Sequence, residues 1–281
     1  MTAALRPGGI SRSGEAAVGS SIPSERSVTG TDLCRRRRVA VAARWATTLM
    51  ILAGGGARAY RPFDQTDSDV AELHVIELEI GLTQLQWSQG RTELVPTFIF
   101  NLGVMPRWEL VVDTAGSALL AGPREPGEVA QLEVGVSLKG VLREGSLQGG
   151  EGLSVAIEPG LLLPATAGPS GFGFEAGVIV SQRWPGLTVH LNLVPLWSRE
   201  HRLGGQLGFI IEGPATWTVR PVAETYVEVE RGEQAPTYSG LVGVIWHASA
   251  LVAPDVAVRA ASTSGTGLIE VRVGLTWDLS L

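Results

Sequence analysis

Strict alternation of apolar and polar residues is the feature that most constrains this chain. Between Leu132 and Leu138 the even positions are apolar, and the odd positions are Glu, Gly and Ser, followed by Lys139. Residues 269–279 repeat the pattern, with Ile, Val, Leu and Trp at the odd positions. In a β-strand these two sets point to opposite faces, whereas a helix would scatter both around its surface. The alternation therefore predicts strands with one apolar and one polar face.

The overall hydropathy limits what these strands can build. Hydrophobic residues make up 44% of the 281 positions and the mean hydropathy is +0.19. No apolar run after residue 60 approaches the roughly 18 residues that a membrane helix needs. Strands whose faces alternate between lipid and lumen would spread hydrophobicity in this way. We therefore expect an all-β fold, an antiparallel transmembrane β-barrel.

Twelve alternating segments predict a barrel of about 12 strands. Turn-forming pairs such as Pro185-Gly186 and Gly213-Pro214 separate them, and an even count would place both ends of the barrel in the periplasm. Most Trp residues lie near segment ends, where they would form aromatic belts; the alternative is that they close the core of a soluble β-sandwich. The predicted strands cover residues 72–87, 92–102, 108–119, 130–142, 153–164, 172–184, 187–196, 203–212, 216–230, 237–248, 254–261 and 268–279.

The first 59 residues have the composition of a targeting segment. Residues 1–34 are rich in Gly, Ser and Thr without any period, which predicts a disordered extension. Residues 35–59 predict a signal peptide, with four arginines, a mostly apolar stretch and the cleavage pattern Ala57-Arg58-Ala59. The alternative is a basic nucleic-acid-binding patch followed by a helix. Residues 60–281 would then form the outer-membrane β-barrel.

Charge and cysteine content exclude several classes of protein. Residues 1–59 hold nine arginines and three acids, so residues 60–281 carry 13 bases, 25 acids and a net charge of −12. An acidic mature protein argues against nucleic acid as a partner. The single cysteine, Cys34, excludes an internal disulfide framework, and the four His residues have no metal-ligand spacing. We expect no cofactor, no metal and no catalytic centre.

Several short motifs resemble a known barrel family. They lie at residues 61–67, at Glu77 to Gly81 in the first strand, at Pro106 to Leu110, at Leu161 to Pro164 and at Arg220 to Glu224. Together they resemble the outer-membrane β-barrel family labelled MetA-pathway of phenol degradation, a transporter-like family. The resemblance implies a barrel that passes small molecules, aromatic compounds among them, and it implies no catalytic residues. The chain departs from such barrels at its last residue, Leu281, where an aromatic is common.

The polar faces of the strands supply the candidate functional residues. If they point inward, one interpretation is a ladder of ion pairs that fills the interior, because an unpaired buried charge is costly. The other is a selective path lined by charged side chains. The predicted lumen-lining residues are Glu133, Lys139, Glu175, His190, Asn192, Gln206, Glu212, Arg220, Glu224, Asp255, Arg259, Glu270 and Arg272.

These observations lead to three hypotheses for function. The first is a narrow passive channel or transporter in the bacterial outer membrane, with outer-membrane lipid, the barrel-assembly machinery and a small-molecule solute as partners. The second is a plugged structural or binding barrel without a pore. The third is a barrel esterase in which His247 activates Ser249 as a nucleophile. We favour the first, a protein that is not an enzyme.

The targeting segment generates a prediction about processing. Signal peptidase should cut after Ala59, because Ala57 and Ala59 occupy the small-residue positions before the cut, so the mature protein should begin at Tyr60. N-terminal sequencing of the membrane-extracted protein measures this directly. Recovery of residues 1–34 on the mature barrel would contradict it.

Overall fold

A computed structural model describes residues 61–124, 130–167, 169–232 and 235–281. The predicted extension, residues 1–34, and the predicted signal peptide, residues 35–59, lie outside the described residues. Within the described ranges, no helix is long and apolar enough to cross a membrane.

The described chain is built almost entirely of β-strands, with one 3-10 turn at Ser146–Gln148. The strands are β1 (Val75–Ser88), β2 (Arg91–Leu94), β3 (Thr97–Met105), β4 (Trp108–Ala121), β5 (Gln131–Arg143), β6 (Ser154–Leu162), β7 (Gly173–Trp184), β8 (Leu187–Trp197), β9 (Leu203–Glu212), β10 (Val219–Glu230), β11 (Thr237–Trp246), β12 (Val252–Thr263) and β13 (Thr266–Ser280).

These strands form one closed antiparallel barrel, because β13 pairs with β1 along nearly its whole length. β2 and β3 are two pieces of a single wall strand, interrupted at Val95 and Pro96, and both pair with β1 on one side and with β4 on the other. A proline cannot donate to the strand ladder, which explains the interruption. The wall therefore has twelve strands, and the predicted fold is confirmed.

Two strand boundaries differ from the prediction in ways that affect the interior. β1 begins at Val75 rather than at residue 72, because the preceding residues turn into the barrel. An irregularity between Ile80 and Thr83 then changes which positions face inward, so Glu77 and Glu79 are buried before it and Gln84 is buried after it. β11 ends at Trp246, which leaves His247 outside the strand.

The two faces of the wall have opposite character. Inward positions hold buried polar or small residues, whereas outward positions expose large apolar side chains; Val258 is 46% exposed and Val273 45%. Among the described residues the buried apolar cluster is small, consisting of Val222, Ile245 and Ala253 with Phe63 packed against it. Hydrophobic material thus covers the outside of the barrel, as in barrels that sit in lipid.

Tryptophans mark the two rims of this apolar surface. We call the end where β1 starts and β13 stops the terminal end, and the opposite end the far end. Trp87 and Trp197 are exposed near the far end. The terminal end carries Trp108, Trp184, Trp217, Trp246 and Trp277, all but Trp108 largely exposed. Such belts sit where an apolar ring and a polar N–H are both satisfied, at a membrane–water interface.

The outward valines give a direct test of lipid exposure. Replacing Val134, Val136 or Val273 with Arg should lower the free energy of unfolding by about 2–4 kcal/mol near the bilayer midplane, because the charge would enter hydrocarbon. The same change at Gly135 or Ser137, whose positions face the interior, should cost less. Urea titration of the barrel refolded in lipid vesicles measures both sets, and equal costs on the two faces would contradict a membrane position.

Candidate functional site

Residues 61–72, which we call the lumen segment, run inside the barrel before β1 begins. Four of them that carry polar side chains are buried, including Arg61, Ser68 and Asp69. The segment joins the wall where Leu73 bridges to Gly103 and the His74 N–H donates to the Gly103 carbonyl (3.1 Å). Nothing in the alternating pattern predicted this arrangement, which occupies the space that a channel would use.

The lumen segment contacts strands all around the barrel. Near its start, Arg61 pairs with Asp255 of β12 (Nε to Oδ2, 3.3 Å) and donates to Thr97 of β3 (2.7 Å). It then passes β10, β9, β8, β7, β5 and β4, which only a chain inside the lumen can do. Its further polar contacts join Pro62 to Arg272, Asp64 to Arg259, Arg272 and Glu224, Gln65 to Glu224 and Gln206, Thr66 to Asn192 and Lys139, Asp67 to Lys139, Ser68 to Ser181, and Ala71 to Glu109.

Glycines in the wall make room for the segment. A Cβ at Gly274 or at Gly81 would lie 2.1 Å or 2.2 Å from the Arg61 guanidinium, and one at Gly103 would lie 2.0 Å from the Glu72 carbonyl oxygen. The last contact is with backbone, which cannot move aside as a side-chain tip can. The wall and the segment are therefore complementary in shape as well as in hydrogen bonding.

Beside the segment lies a cavity of about 440 Å³. Its wall residues come mostly from the middle and the far half of the strands, with Glu109 and Lys139 closer to the terminal end. Arg61, Phe63, Asp64, Gln65 and Thr66 of the segment also line it. Its volume is in the range of a small-molecule site. Polar and apolar groups both reach it, which suits a solute with a polar group and an apolar body.

One side of the cavity is acidic. Asp113 on β4, Glu158 on β6 and Glu175 on β7 all line it. The Ser137 hydroxyl on β5 donates to Glu158 (2.7 Å). Two cations lie at this side: Lys139, which lies 3.6 Å from Glu109 and from Asp67, and Arg199, which pairs with Glu133 (2.9 Å). Carboxylates outnumber cations on this side, so its field attracts positive charge.

The opposite side carries two arginines, Arg259 on β12 and Arg272 on β13. Glu270 accepts from both guanidinium groups, at 2.9 Å from Arg259 and 2.5 Å from Arg272. Asp64 of the lumen segment bridges the same two arginines, at 3.0 Å and 2.6 Å. The two charge types thus face each other across the lumen, since β6 and β7 lie about half a circuit from β12 and β13.

A second polar cluster lies near the terminal end. His190 joins the Ser181 hydroxyl (Nδ1 to Oγ, 2.8 Å) to Glu212 (Nε2 to Oε1, 2.8 Å), and Glu212 also accepts from Arg220 (2.6 Å). The short turn between β9 and β10 predicts that Glu212 and Arg220 meet on the inward face, and this contact is present. The Ser68 backbone N–H donates to the Ser181 hydroxyl (3.1 Å), so this cluster holds the lumen segment in place.

The thirteen predicted lumen residues fall into three groups. The first group borders the cavity. The second contacts the lumen segment or belongs to the polar cluster of His190, Glu212 and Arg220 near the terminal end. The third is Glu133 alone, which pairs with Arg199 towards the far end. The polar face of β10 predicts that Glu224 faces Arg259 or Arg272 if the barrel is narrow. The Glu224 carboxylate instead accepts two backbone N–H groups of the lumen segment, from Asp64 (2.9 Å) and Gln65 (2.7 Å). Those bordering the cavity are Lys139, Glu175, Asn192, Gln206, Arg259, Glu270 and Arg272, and the remainder are His190, Glu212, Arg220, Glu224 and Asp255.

Several interior residues were not among those predicted. Glu109 and Asp113 are four residues apart on β4, which places them on one face, but apolar residues on both faces of that strand hid the alternation. Gln84 was not predicted because the irregularity in β1 moves the inward-facing positions from odd to even residue numbers. The four-residue spacing of Glu109 and Asp113 is a signal from which their shared inward face could have been predicted. The irregularity in β1 has no corresponding signal in the residue composition.

The proposed esterase pair has no catalytic geometry. The Ser249 hydroxyl accepts from the Leu251 backbone N–H (3.2 Å), and the His247 Nε2 atom has no hydrogen-bond partner within the described ranges. Burial, and then the nearby positive charge of Arg220, lowers the pKa of His247. Among the described residues, no group of three or more His, Cys, Asp or Glu is arranged to hold a metal ion.

Comparison with known proteins finds relatives in structure but none in sequence. No protein-family profile and no curated protein matches the chain. It is similar to the COG4313 outer membrane channel from Pseudomonas putida F1, with 7% identity and a TM-score of 0.60 over 77% of this chain and 100% of that one. It is also similar to the NanC porin (8%, 0.55, 72% and 100%) and to the KdgM porin in complex with disordered oligogalacturonate (13%, 0.51, 72% and 98%). At these identities the likeness establishes the fold.

The Glu212–Arg220 pair gives a test of the interior geometry. Replacing Arg220 with Met should lower the free energy of unfolding by about 2 kcal/mol, because the Glu212 carboxylate loses a charge-assisted hydrogen bond in a buried place. Adding Glu212→Gln should cost less than the sum of the single changes, since the two side chains interact directly. Urea unfolding in lipid vesicles measures all three variants.

Arg202 provides the matched control for this pair. It contacts Glu200 and lies 3.6 Å from Glu230, and 41% of its side chain is exposed. Arg202→Met should therefore cost less than about 1 kcal/mol, as for other solvent-exposed ion pairs. Additive effects of the changes at Glu212 and Arg220 would show that the two side chains do not meet.

Proposed function

We propose that this protein is a passive outer-membrane channel for small molecules, whose lumen segment narrows the path in the structure seen here. Export through the inner membrane by residues 35–59 would place the terminal end in the periplasm and the far end outside the cell. The observation that carries the proposal is the polar cavity beside a segment that is held mainly by side-chain hydrogen bonds and ion pairs.

The size of the barrel supports a channel. Eight strands leave an interior that wall side chains can fill, and the diameter grows with strand number. Twelve strands enclose more space than these side chains occupy, as the cavity of about 440 Å³ beside the segment illustrates. A barrel of this size needs either water or an inserted segment in its lumen.

The contacts of the segment favour movement over permanent closure. Phe63 is the segment residue that packs on the buried apolar cluster, and Val70 and Ala71 are also buried. Arg61 and Asp64, by contrast, are held by ion pairs to the wall. Several polar groups of the segment are buried while it is in place, but water entering the lumen as the segment shifts would supply new hydrogen-bond partners to them. The net cost of exchanging such contacts is smaller than the cost of exposing an equal area of apolar surface. A shift of the segment would therefore open the lumen without unfolding the wall.

The plugged barrel without a pore is the second candidate. The glycines that accommodate Arg61 and Glu72 favour it, because they fit the wall to the segment in its present position. The two candidates differ in one measurable property, which is whether the segment ever leaves the lumen under conditions in which the wall stays folded.

The solute that we propose is a small aromatic compound. The resemblance to the phenol-degradation family favours small aromatic compounds, and the cavity wall includes apolar residues such as Ile99, Val111 and Ile179 that would accept a ring. The oligogalacturonate in one similar structure is a property of the KdgM porin.

A reversible lock tests whether the segment controls conductance. The Ser68 nitrogen lies 3.1 Å from the Ser181 hydroxyl oxygen, so cysteines at these two positions should form a disulfide that ties the segment to β7. In planar bilayers, the oxidised Ser68→Cys/Ser181→Cys protein should conduct less than the same protein after reduction, and the wild-type protein should not respond to the reductant. The single natural cysteine, Cys34, precedes the predicted cleavage site.

Deletion of residues 61–72 provides the complementary measurement. The deletion variant should conduct several-fold more than wild type, because its lumen loses the segment. Its folding is verified by the shifted electrophoretic migration of an unheated barrel. If the locked, reduced and deletion proteins all conduct no ions while folded, the plugged barrel replaces the channel as the function.

A further inference from the structure

The carboxylate of Asp64 occupies a site made by two wall arginines. Its Oδ1 atom lies 2.6 Å from the Arg272 Nη2 atom, and its Oδ2 atom lies 3.0 Å from the Arg259 Nε atom. Each oxygen thus meets a different guanidinium. Guanidinium groups arranged in this way recognise carboxylates by geometry as well as by charge.

Wall side chains and one carbonyl of the lumen segment accept from the other donors of these arginines. Arg272 donates to Glu270 (2.5 Å) and to the Pro62 carbonyl (2.7 Å). Arg259 donates to Glu270 (2.9 Å), to the Tyr226 hydroxyl (2.6 Å) and to the Ser239 hydroxyl (2.9 Å). Both guanidinium groups are thereby held in place. The Arg272 Nη2 group donates to the Asp64 carboxylate (2.6 Å), whereas Arg259, whose Nε hydrogen goes to Ser239, attracts that carboxylate as an ion pair (3.0 Å).

Asp64 is the replaceable partner in this group. It belongs to the lumen segment rather than to the wall, and its side chain is 25% exposed, against 6% for Arg272. All three side chains line the cavity. A solute in the cavity can therefore approach the arginine donors that Asp64 uses. If Asp64 left without replacement, the largely buried donors would lose an acceptor, which is unfavourable.

We propose that Arg259 and Arg272 form a binding site for the carboxylate of a small solute, and that Asp64 occupies this site as an internal substitute. A solute that takes the place of Asp64 removes one of the contacts that hold the lumen segment. The coupling to passage rests on the proposed channel function, whereas the binding site itself does not.

The surrounding charges define which carboxylates fit. Glu270 and Glu224 lie beside the site, and the acidic side of the cavity faces it, so a free anion is repelled at long range. Binding must then rely on short-range hydrogen bonds and on burial of an apolar body. Phe63, Ile99 and Val111 line the same cavity and provide that apolar contact. The solute class is a monocarboxylate with an aromatic or aliphatic body of modest size.

Calorimetric titration with benzoate tests the site, and benzamide serves as the neutral probe of the same shape. The Asp64→Ala protein should bind benzoate at least about tenfold more tightly than wild type, because the internal competitor is gone, and it should discriminate against benzamide. Asp64 lies outside the strands, so the wall should fold as in wild type. Glu72→Ala removes an acid from the same segment away from the arginines and should bind benzoate as wild type does.

A second variant verifies the arginines themselves. In the Asp64→Ala background, Arg272→Gln should abolish the gain in benzoate affinity, provided that electrophoretic migration shows a folded barrel. Equal binding of benzoate by wild type and Asp64→Ala, or equal binding of benzoate and benzamide by Asp64→Ala, would overturn the site. A protein that binds benzoate in this pattern but never conducts would retain the site and lose the channel.

Discussion

Closure of the sheet is the constraint on which the rest of this structure depends. Hydrocarbon offers no partner for backbone N–H and C=O groups, so a strand that faces lipid must pair on both edges. The pairing of β1 with β13 meets this requirement, so every strand that the structure describes in the wall has a neighbour on both sides. Closure also encloses an interior, and with twelve strands that interior is too wide for the wall side chains alone to fill.

The lumen segment solves the packing problem that closure creates. Its residues contact inward-facing groups of most strands. It also neutralises charges of the wall, because Arg61 forms an ion pair with Asp255, and Asp64 forms ion pairs with the arginines of β12 and β13. A buried charge without a partner would be costly. The segment and the wall charges therefore depend on one another, and any solute that enters must compete with contacts that already exist.

Some inward faces and contacts of the barrel could be predicted from the sequence and others could not, for separate physical reasons. β5 and β13 alternate strictly, so their inward and outward faces could be assigned residue by residue. β1 could not be, because the irregularity between Ile80 and Thr83 reverses the faces without a compositional sign. The Glu212–Arg220 contact was predictable because a short turn joins their strands, whereas the partner of Glu224 was not, because it comes from a segment 160 residues away in the chain.

The sequence by itself determined the class of fold, the faces of most strands and the aromatic rims, because alternation and strand ends are local properties that survive without knowledge of neighbours. The tertiary structure alone decided what fills the lumen and which charges meet. Arg61 and Asp255 are 194 residues apart, and the acids of β4, β6 and β7 oppose the arginines of β12 and β13 only after the sheet closes. Contacts of that kind depend on closure and register, which a local pattern does not encode.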